Sequence, residues 1–135
     1  MSEPQRRILV AEDNRVLADV LRFNLERSGF KVTVAYDGDM AIENLESDSF
    51  DLLITDYQMP KVDGAELCRF VRQNPALDEF PIIMCSAKGM ELSIEQLQDD
   101  WKIAKLVFKP FSVREIIAVV NELLAPSAAT NAVAP

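Results

Sequence analysis

The sequence predicts an α/β domain in which helices cover both faces of one parallel β-sheet. Five short apolar runs recur along the chain, none alternates with polar residues, and a helical pattern follows each run. Strands that are buried on both faces show such continuous apolar runs, as in parallel sheets. With 135 residues the chain has the length of one domain and can bury roughly two-thirds of its unfolded surface.

The five predicted strands are short and rich in leucine, isoleucine and valine. They comprise residues 8–11, 32–35, 52–55, 82–85 and 106–108. Between the first two, apolar residues from Leu17 onward follow the three- and four-residue spacing of one helix face, and Gly29 is a natural stop. Asp-Gly pairs at 37–38 and 63–64 open the second and third helices.

The last two helices differ in the strength of their sequence signals. Ser112 and Glu115 form a capping box ahead of an apolar face, which predicts the final helix. A fourth helix is expected within residues 90–100, although its apolar content is thin. Residues 126–135 lack a core pattern and are predicted to be a disordered tail or linker, so the domain spans 5–125.

Composition excludes several classes of function. Twenty-two acidic against fourteen basic residues give a net charge of −8, which argues against direct binding of nucleic acid or an anionic membrane. The absence of histidine excludes a histidine base, a Ser-His-Asp triad and a chain-borne phosphohistidine. Two cysteines are too few for a disulfide scaffold and are expected to pack in the core. Without a signal peptide or membrane span, a cytoplasmic location is expected.

Polar residues follow four of the predicted strands. Glu12 and Asp13 follow the first, Asp56 the third, Ser86 the fourth and Lys109 the fifth. Because parallel strands end at one edge of the sheet, these side chains should meet in one crevice. Three acids in one crevice would repel unless a cation or a raised pKa relieves them. Mg²⁺ is the simplest cation, since it prefers oxygen ligands.

Each of these residues also has an ordinary structural interpretation. An acid after a strand often caps a helix, and either Asp13 or Asn14 is suited to cap the first one. A serine after a strand commonly forms a turn, and a lysine there is usually a solvated charge. Only the combination at one edge favours a functional site.

Four strings of residues resemble the receiver domain of bacterial two-component response regulators. They are VAEDN at 10–14, DYQMPKVDG at 56–64, CSA at 85–87 and KPF at 109–111. Gaps of 43, 30 and 23 residues separate Asp13, Asp56, Ser86 and Lys109, as in that family. The resemblance covers residues 6–125 and implies a flavodoxin-like fold: a five-stranded parallel sheet of order 2-1-3-4-5 with five helices.

The resemblance also implies a phosphorylation-activated switch. Asp56 corresponds to the phosphoacceptor, which takes a phosphoryl group from a histidine kinase or histidine phosphotransfer protein. Asp13, Asp56 and the Gln58 carbonyl resemble direct Mg²⁺ ligands, and Glu12 resembles the acid that holds the metal through water. Lys109 and Ser86 resemble the residues that bind phosphoryl oxygens. The Lys109–Pro110 bond is expected to be cis.

The sequence departs from the family near the fifth strand. Leu106 stands where receivers usually carry a tyrosine or phenylalanine, and residues 99–105 replace a glycine- and alanine-rich approach. Both changes put the output surface in question, whether that surface serves a protein target or an output domain beyond residue 125. Trp101 in this segment is expected to be a packing residue.

The sequence leaves two further functions open. Aspartyl-phosphate phosphatases also place a nucleophilic aspartate after a strand, but they typically carry a second aspartate two residues on, where this chain has Gln58. The second alternative is a degenerate receiver that serves only as a docking module. The favoured interpretation is a phosphoacceptor that does not turn over as an enzyme.

Overall fold

A computed structural model of the chain describes residues 5–87 and 96–124. Its sheet contains five strands, all parallel, in the order β2-β1-β3-β4-β5. The strands are β1 Arg7–Ala11, β2 Lys31–Ala35, β3 Leu52–Asp56, β4 Ile82–Ala87 and β5 Lys105–Lys109. The predicted fold class and strand order are therefore confirmed.

Four α-helices lie within the described ranges. They are α1 Arg15–Arg27, α2 Gly38–Ser47, α3 Gly64–Gln73 and α4 Val113–Leu123. The helix expected within 90–100 lies largely outside the described residues, and its last part, Gln96–Asp100, forms one π-helical turn. The predicted tail at 126–135 also lies outside them. No helix in the described part of the chain is long and apolar enough to cross a membrane.

The helix ends follow the capping residues in the sequence. Asn14, rather than Asp13, caps α1 and accepts a hydrogen bond from the Leu17 amide at 3.0 Å. At the start of α4 the Ser112 hydroxyl accepts from the Glu115 amide, so one of the two hydrogen bonds of the predicted capping box is present there. A full reciprocal capping box forms instead at the start of α3. With Asn14 as the cap, Asp13 is free for another role.

The core consists of two apolar clusters, one on each face of the sheet. Alternate residues of each strand point to opposite faces, so Ile8 packs with α1 and α4 while Leu9 packs with α2 and α3. Both cysteines are buried and free, and burial raises the pKa of each thiol to about 12. Trp101 is also buried, at 3% exposure, as its interpretation as a packing residue requires. Apolar packing therefore supports the sheet on both of its faces.

Candidate functional site

The carboxyl edge of the sheet brings three carboxylates together. Glu12 and Asp13 leave the end of β1, and Asp56 is the last residue of β3. One carboxylate oxygen from each lies within 4.8 Å of the others. Glu12 and Asp56 are buried, whereas Asp13 is exposed at the mouth of the cluster. The convergence expected from strand topology is therefore present.

Backbone hydrogen bonds hold the two buried acids at the ends of their strands. The Glu12 amide donates to the Ala35 carbonyl at 3.0 Å, which ties the residue to the end of β2. The Asn14 amide in turn donates to Glu12 Oε2 at 3.0 Å and holds that carboxylate inward. On the neighbouring strand, Asp56 pairs in register with Cys85, and the Tyr57 amide donates to the Cys85 carbonyl at 2.8 Å. The backbone thus holds the Glu12 carboxylate directly, whereas for Asp56 it fixes the position of the residue on its strand.

Lys109 reaches across the edge and joins the two buried acids. Its Nζ lies 3.2 Å from Glu12 Oε1 and 3.1 Å from Asp56 Oδ2. The side chain is 27% exposed, so the lysine is not the solvated charge that its position at a strand end suggested. The Lys109–Pro110 peptide bond is cis, as expected. The ammonium group partly neutralises the cluster from within the chain.

The pKa values of these groups reflect burial and mutual contact. Burial raises the pKa of Asp56, the charge of Asp13 raises it further, and Lys109 opposes the change. Burial likewise raises the pKa of Glu12, although the Asn14 amide and Lys109 act in the other direction. Burial acts to lower the pKa of Lys109, but the two carboxylates outweigh it and the net change is upward. The folded environment therefore disfavours the ionised form of the two buried acids and favours the ionised form of Lys109.

The remaining predicted site residues lie at the same edge of the sheet but have different surroundings. Ser86 is 1% exposed on β4, and its hydroxyl donates a long hydrogen bond of 3.5 Å to the Ala87 carbonyl. Gln58 is exposed in the loop after β3, two residues beyond Asp56. The part played by the Gln58 carbonyl and by the Ser86 hydroxyl stays a prediction.

The donor set suits a hard divalent cation. All three clustered side chains offer carboxylate oxygens, which are the ligands that Mg²⁺ prefers, and the exposed position of Asp13 leaves the cluster open to solvent. Mg²⁺ also keeps several waters, which an open mouth accommodates. The residues present therefore fit the ion that the sequence predicts.

A cavity beside Lys109 was not foreseen from the sequence. It has a volume of about 440 Å³ and is lined by Asn14, Leu17, Lys109, Pro110 and Phe111. These residues come from the start of α1 and the loop after β5, which are distant in sequence. No local pattern signals such a cavity, because it arises only when the two segments are packed side by side.

The sheet order and the acidic cluster define the chain as a flavodoxin-like α/β domain with a candidate cation site at its carboxyl edge. The sequence matches the response regulator receiver domain over residues 8–121, and the chain belongs to that family. Membership implies a part in phosphorylation-dependent signalling.

Individual relatives agree with this assignment. The chain is 39% identical over 123 residues to the alkaline phosphatase synthesis transcriptional regulatory protein PhoP of Bacillus subtilis (strain 168), covering 88% of this chain and 48% of that protein. It therefore spans about half the length of that relative. The receiver domain of the Francisella response regulator 1452 is 30% identical, with a TM-score of 0.76 and coverage of 88% and 96% of the two chains.

A second similar structure was solved with a ligand. The response regulator TrrA of Thermotoga maritima, in complex with Mg²⁺-BeF, is 27% identical with a TM-score of 0.73. The match covers 89% of this chain and 100% of TrrA.

Replacing Asp13 with alanine should separate metal binding from stability. We expect Asp13→Ala to weaken Mg²⁺ binding by about tenfold or more, since even an indirect partner of a metal typically contributes that much. The same change should raise the melting temperature of the metal-free protein, because the charge of Asp13 opposes ionisation of Asp56. Thermal unfolding in EDTA and in MgCl₂ measures both effects.

Asp19→Ala is the matched control, since Asp19 is an exposed acid on α1 away from the strand ends. A metal-free Asp13→Ala protein that melts below the wild type would contradict the expected relief of repulsion.

Proposed function

We propose that the chain is a phosphorylation-activated signalling switch whose phosphoacceptor is Asp56. The observation that carries the proposal is the buried Asp56 carboxylate, held 3.1 Å from Lys109 within an acidic cluster suited to Mg²⁺. The expected donor is a phosphohistidine on a histidine kinase or phosphotransfer protein, as the receiver family implies, and the sequence contains no histidine that could serve instead. The similar response regulator TrrA was solved in complex with Mg²⁺-BeF, which supports a site for Mg²⁺ and a phosphoryl group in this chain.

Phosphoryl transfer at this site needs little covalent chemistry from the protein. A carboxylate oxygen of Asp56 attacks the phosphorus, forming the P–O bond of an acyl phosphate as the P–N bond to the donor imidazole breaks. Mg²⁺, when bound, supplies a Lewis acid that offsets the charge of the transferring group. The chain contributes by holding Asp56 in line and by fixing the cation-binding acids beside it.

Lys109 and Ser86 then bind the product. The Lys109 ammonium already touches Asp56, so it is placed to pair with a phosphoryl oxygen on that residue. The Ser86 hydroxyl, held only by a long bond to a backbone carbonyl, is available to donate to another phosphoryl oxygen. Drawing Ser86 inward would shift the end of β4, which converts a local charge into an altered surface.

The two other functions receive less support from the site. A phosphatase needs a general acid near the nucleophile, and Gln58 has an amide at the position where such enzymes carry an aspartate. A docking module would not require a lysine between two buried carboxylates, since removing these charges from water costs free energy of folding. We therefore propose a self-phosphorylating protein rather than a docking module or a turnover enzyme.

The proposal is tested with a small acyl phosphate. Incubation of the purified protein with acetyl phosphate and MgCl₂ should add one phosphoryl group by mass spectrometry, and proteolysis should place it in the peptide that contains Asp56. EDTA should abolish the addition. Labelling that proceeds equally in EDTA, or that maps to another peptide, would overturn the assignment.

The exposed face of α1 is the expected docking site for the phosphodonor protein. Val16, Val20 and Phe23 are 75%, 39% and 59% exposed and follow the spacing of one helix face. The helix begins at the cavity beside Lys109, so a donor that reaches Asp56 must cover its start. An apolar face in this position suits a protein partner.

Phe23→Glu should slow transfer from a kinase or phosphotransfer protein that labels the wild type. We expect a loss of about tenfold, typical of one removed apolar anchor. Labelling by acetyl phosphate should be unchanged. Phe108→Glu is the matched control, because Phe108 is 42% exposed on β5, away from α1. Equal losses in both variants would show that α1 is not the specific contact.

Because of Leu106, phosphorylation should change the conformation of β5 only weakly. Leu106 is half-buried, pairs in register with Met84 and packs against the core cluster on that face. A leucine can stay packed in both states, whereas an aromatic ring has discrete inward and outward positions. Amide shifts on adding beryllofluoride should be large at residues 86–92 and small at 104–108. Shifts of equal size in both segments would contradict this expectation.

A further inference from the structure

The conformation of the loop between β3 and α3, residues 57–63, depends on Gly38 and Lys61, which have no part in the proposed reaction. We call this segment the metal loop, since it carries Gln58. We propose that Gly38 and Lys61 are positioning residues that set the shape of the metal loop and so place the Gln58 carbonyl for Mg²⁺. This inference rests on the proposed magnesium site.

Gly38 meets the metal loop at its far end. It is the first residue of α2, and a Cβ built on it would come within 2.0 Å of the Val62 carbonyl oxygen and 2.4 Å of Val62 Cβ. Real Cβ atoms essentially never approach a carbonyl oxygen so closely. Only glycine lets α2 begin directly against the loop, so any side chain at position 38 must push the loop away from the helix.

Lys61 fixes the conformation of the loop from the solvent side. Its φ is +72°, and the Val62 amide donates to the Pro60 carbonyl at 2.9 Å, so Lys61 is the central residue of a γ-turn. Asparagine tolerates that conformation, whereas a β-branched residue strongly disfavours it. The Lys61 side chain is 62% exposed, with its ammonium 3.8 Å from Asp37. Its backbone, rather than its charge, is therefore the constrained feature.

The two ends of the loop are anchored independently of these two positioning residues. The Tyr57 amide donates to the Cys85 carbonyl and the Gly64 amide donates to the Tyr57 carbonyl, both at 2.8 Å. A disturbance at Val62 or Lys61 is therefore confined to residues 58–62. Glu12 and Asp13 follow β1 and stay where they are, so the expected loss falls on the loop's own contribution to Mg²⁺ binding.

A pair of substitutions at Lys61 isolates the backbone effect. Lys61→Val and Lys61→Asn both remove the charge, but only valine resists a positive φ. The dissociation constant for Mg²⁺ is measured from the amide shifts of residues 12 and 13 during titration with MgCl₂. We expect Lys61→Val to raise this dissociation constant about tenfold, as loss of a residue that orients a metal ligand typically does. Lys61→Asn should leave it within about twofold.

Gly38→Ala tests the second positioning residue. It should also raise the Mg²⁺ dissociation constant by about tenfold. Its control is Asp37→Asn, which keeps a side-chain oxygen to cap α2 and removes only the ion pair with Lys61. A glycine with a merely structural role would lower the melting temperature of Gly38→Ala and leave the dissociation constant unchanged, which would overturn its part of the inference.

The remaining outcomes separate this inference from the proposed function. If the wild type binds Mg²⁺ and Lys61→Val binds it equally well, the positioning role of Lys61 is wrong while the magnesium site stands. If the wild type shows no Mg²⁺-dependent shifts, the proposed site fails and this inference fails with it.

Discussion

An Asp56→Asn protein should lose all phosphoryl labelling and yet unfold at a higher temperature than the wild type. Labelling by acetyl phosphate should fall to the level seen in EDTA, because an amide oxygen cannot form a stable acyl phosphate. The other two carboxylates of the cluster, Glu12 and Asp13, are proposed to hold the cation rather than to attack phosphorus. Loss of function combined with a gain of stability would mark a residue kept for chemistry rather than for folding.

The gain in stability follows from the environment of the Asp56 carboxylate. Burial, with help from Asp13, raises its pKa in the folded protein. A raised folded pKa means that the carboxyl group favours folding below its unfolded pKa, and that this contribution is lost as the pH rises through the folded value. At neutral pH the ionised group therefore lowers the stability of the folded protein, and a neutral asparagine of similar shape removes this destabilisation.

The measurement is thermal unfolding at neutral pH in EDTA, beside mass spectrometry of the labelled protein. Asp19→Asn is the control, since that exposed aspartate on α1 should affect neither readout. An Asp56→Asn protein that still gains one phosphoryl group would remove Asp56 from its proposed role. A variant that melts below the wild type would show that Asp56 stabilises the fold through its contact with Lys109.

Most of the fold could be predicted from local patterns. Continuous apolar runs identify strands buried on both faces, and the residues of β3 are indeed buried throughout. Capping residues before α2, α3 and α4 mark where each helix begins, because they satisfy free amides at the helix ends. The acidic cluster was also predictable, since carboxyl ends of parallel strands share one edge.

Other features depend on contacts that no local pattern encodes. The sequence left open whether Asp13 or Asn14 caps α1, because both side chains can accept the same amide. The structure assigns the cap to Asn14, whose own amide then holds Glu12. The helix expected within 90–100 had few apolar residues, and a weak amphipathic pattern gives a poor estimate of helix type and limits.

The position of Lys109 shows most clearly where sequence reasoning stopped. The sequence placed Lys109 in the same crevice as the three acids, but it named Mg²⁺ or a raised pKa, and not the lysine, as what relieves their repulsion. The structure adds a second cation from the chain itself, because Lys109 lies between Glu12 and Asp56. A long flexible side chain at a strand end can point to solvent or across the edge, and only its neighbours in space decide which.

Removing the Lys109 ammonium should therefore destabilise the metal-free protein substantially. Lys109→Ala leaves two buried carboxylates without their cation, and breaking a buried pair typically costs 3–5 kcal/mol; since this lysine is partly exposed, we expect about 2 kcal/mol. Its folded pKa is raised, so its stabilising contribution is fully present at neutral pH and is lost only as the pH rises through that value. Urea unfolding at pH 7 in EDTA measures the effect.

Mg²⁺ should reverse much of this loss, which separates a charge effect from a packing effect. With the ammonium gone, we expect Mg²⁺ to take over the neutralisation of Glu12 and Asp56, so MgCl₂ should stabilise Lys109→Ala more than it stabilises the wild type. Lys109→Met keeps the apolar stem and should lose as much stability as Lys109→Ala, whereas Lys105→Ala, an exposed lysine on the same strand, should lose little. A Lys109→Met protein as stable as the wild type in EDTA would show that the stem, and not the charge, holds this edge of the sheet together.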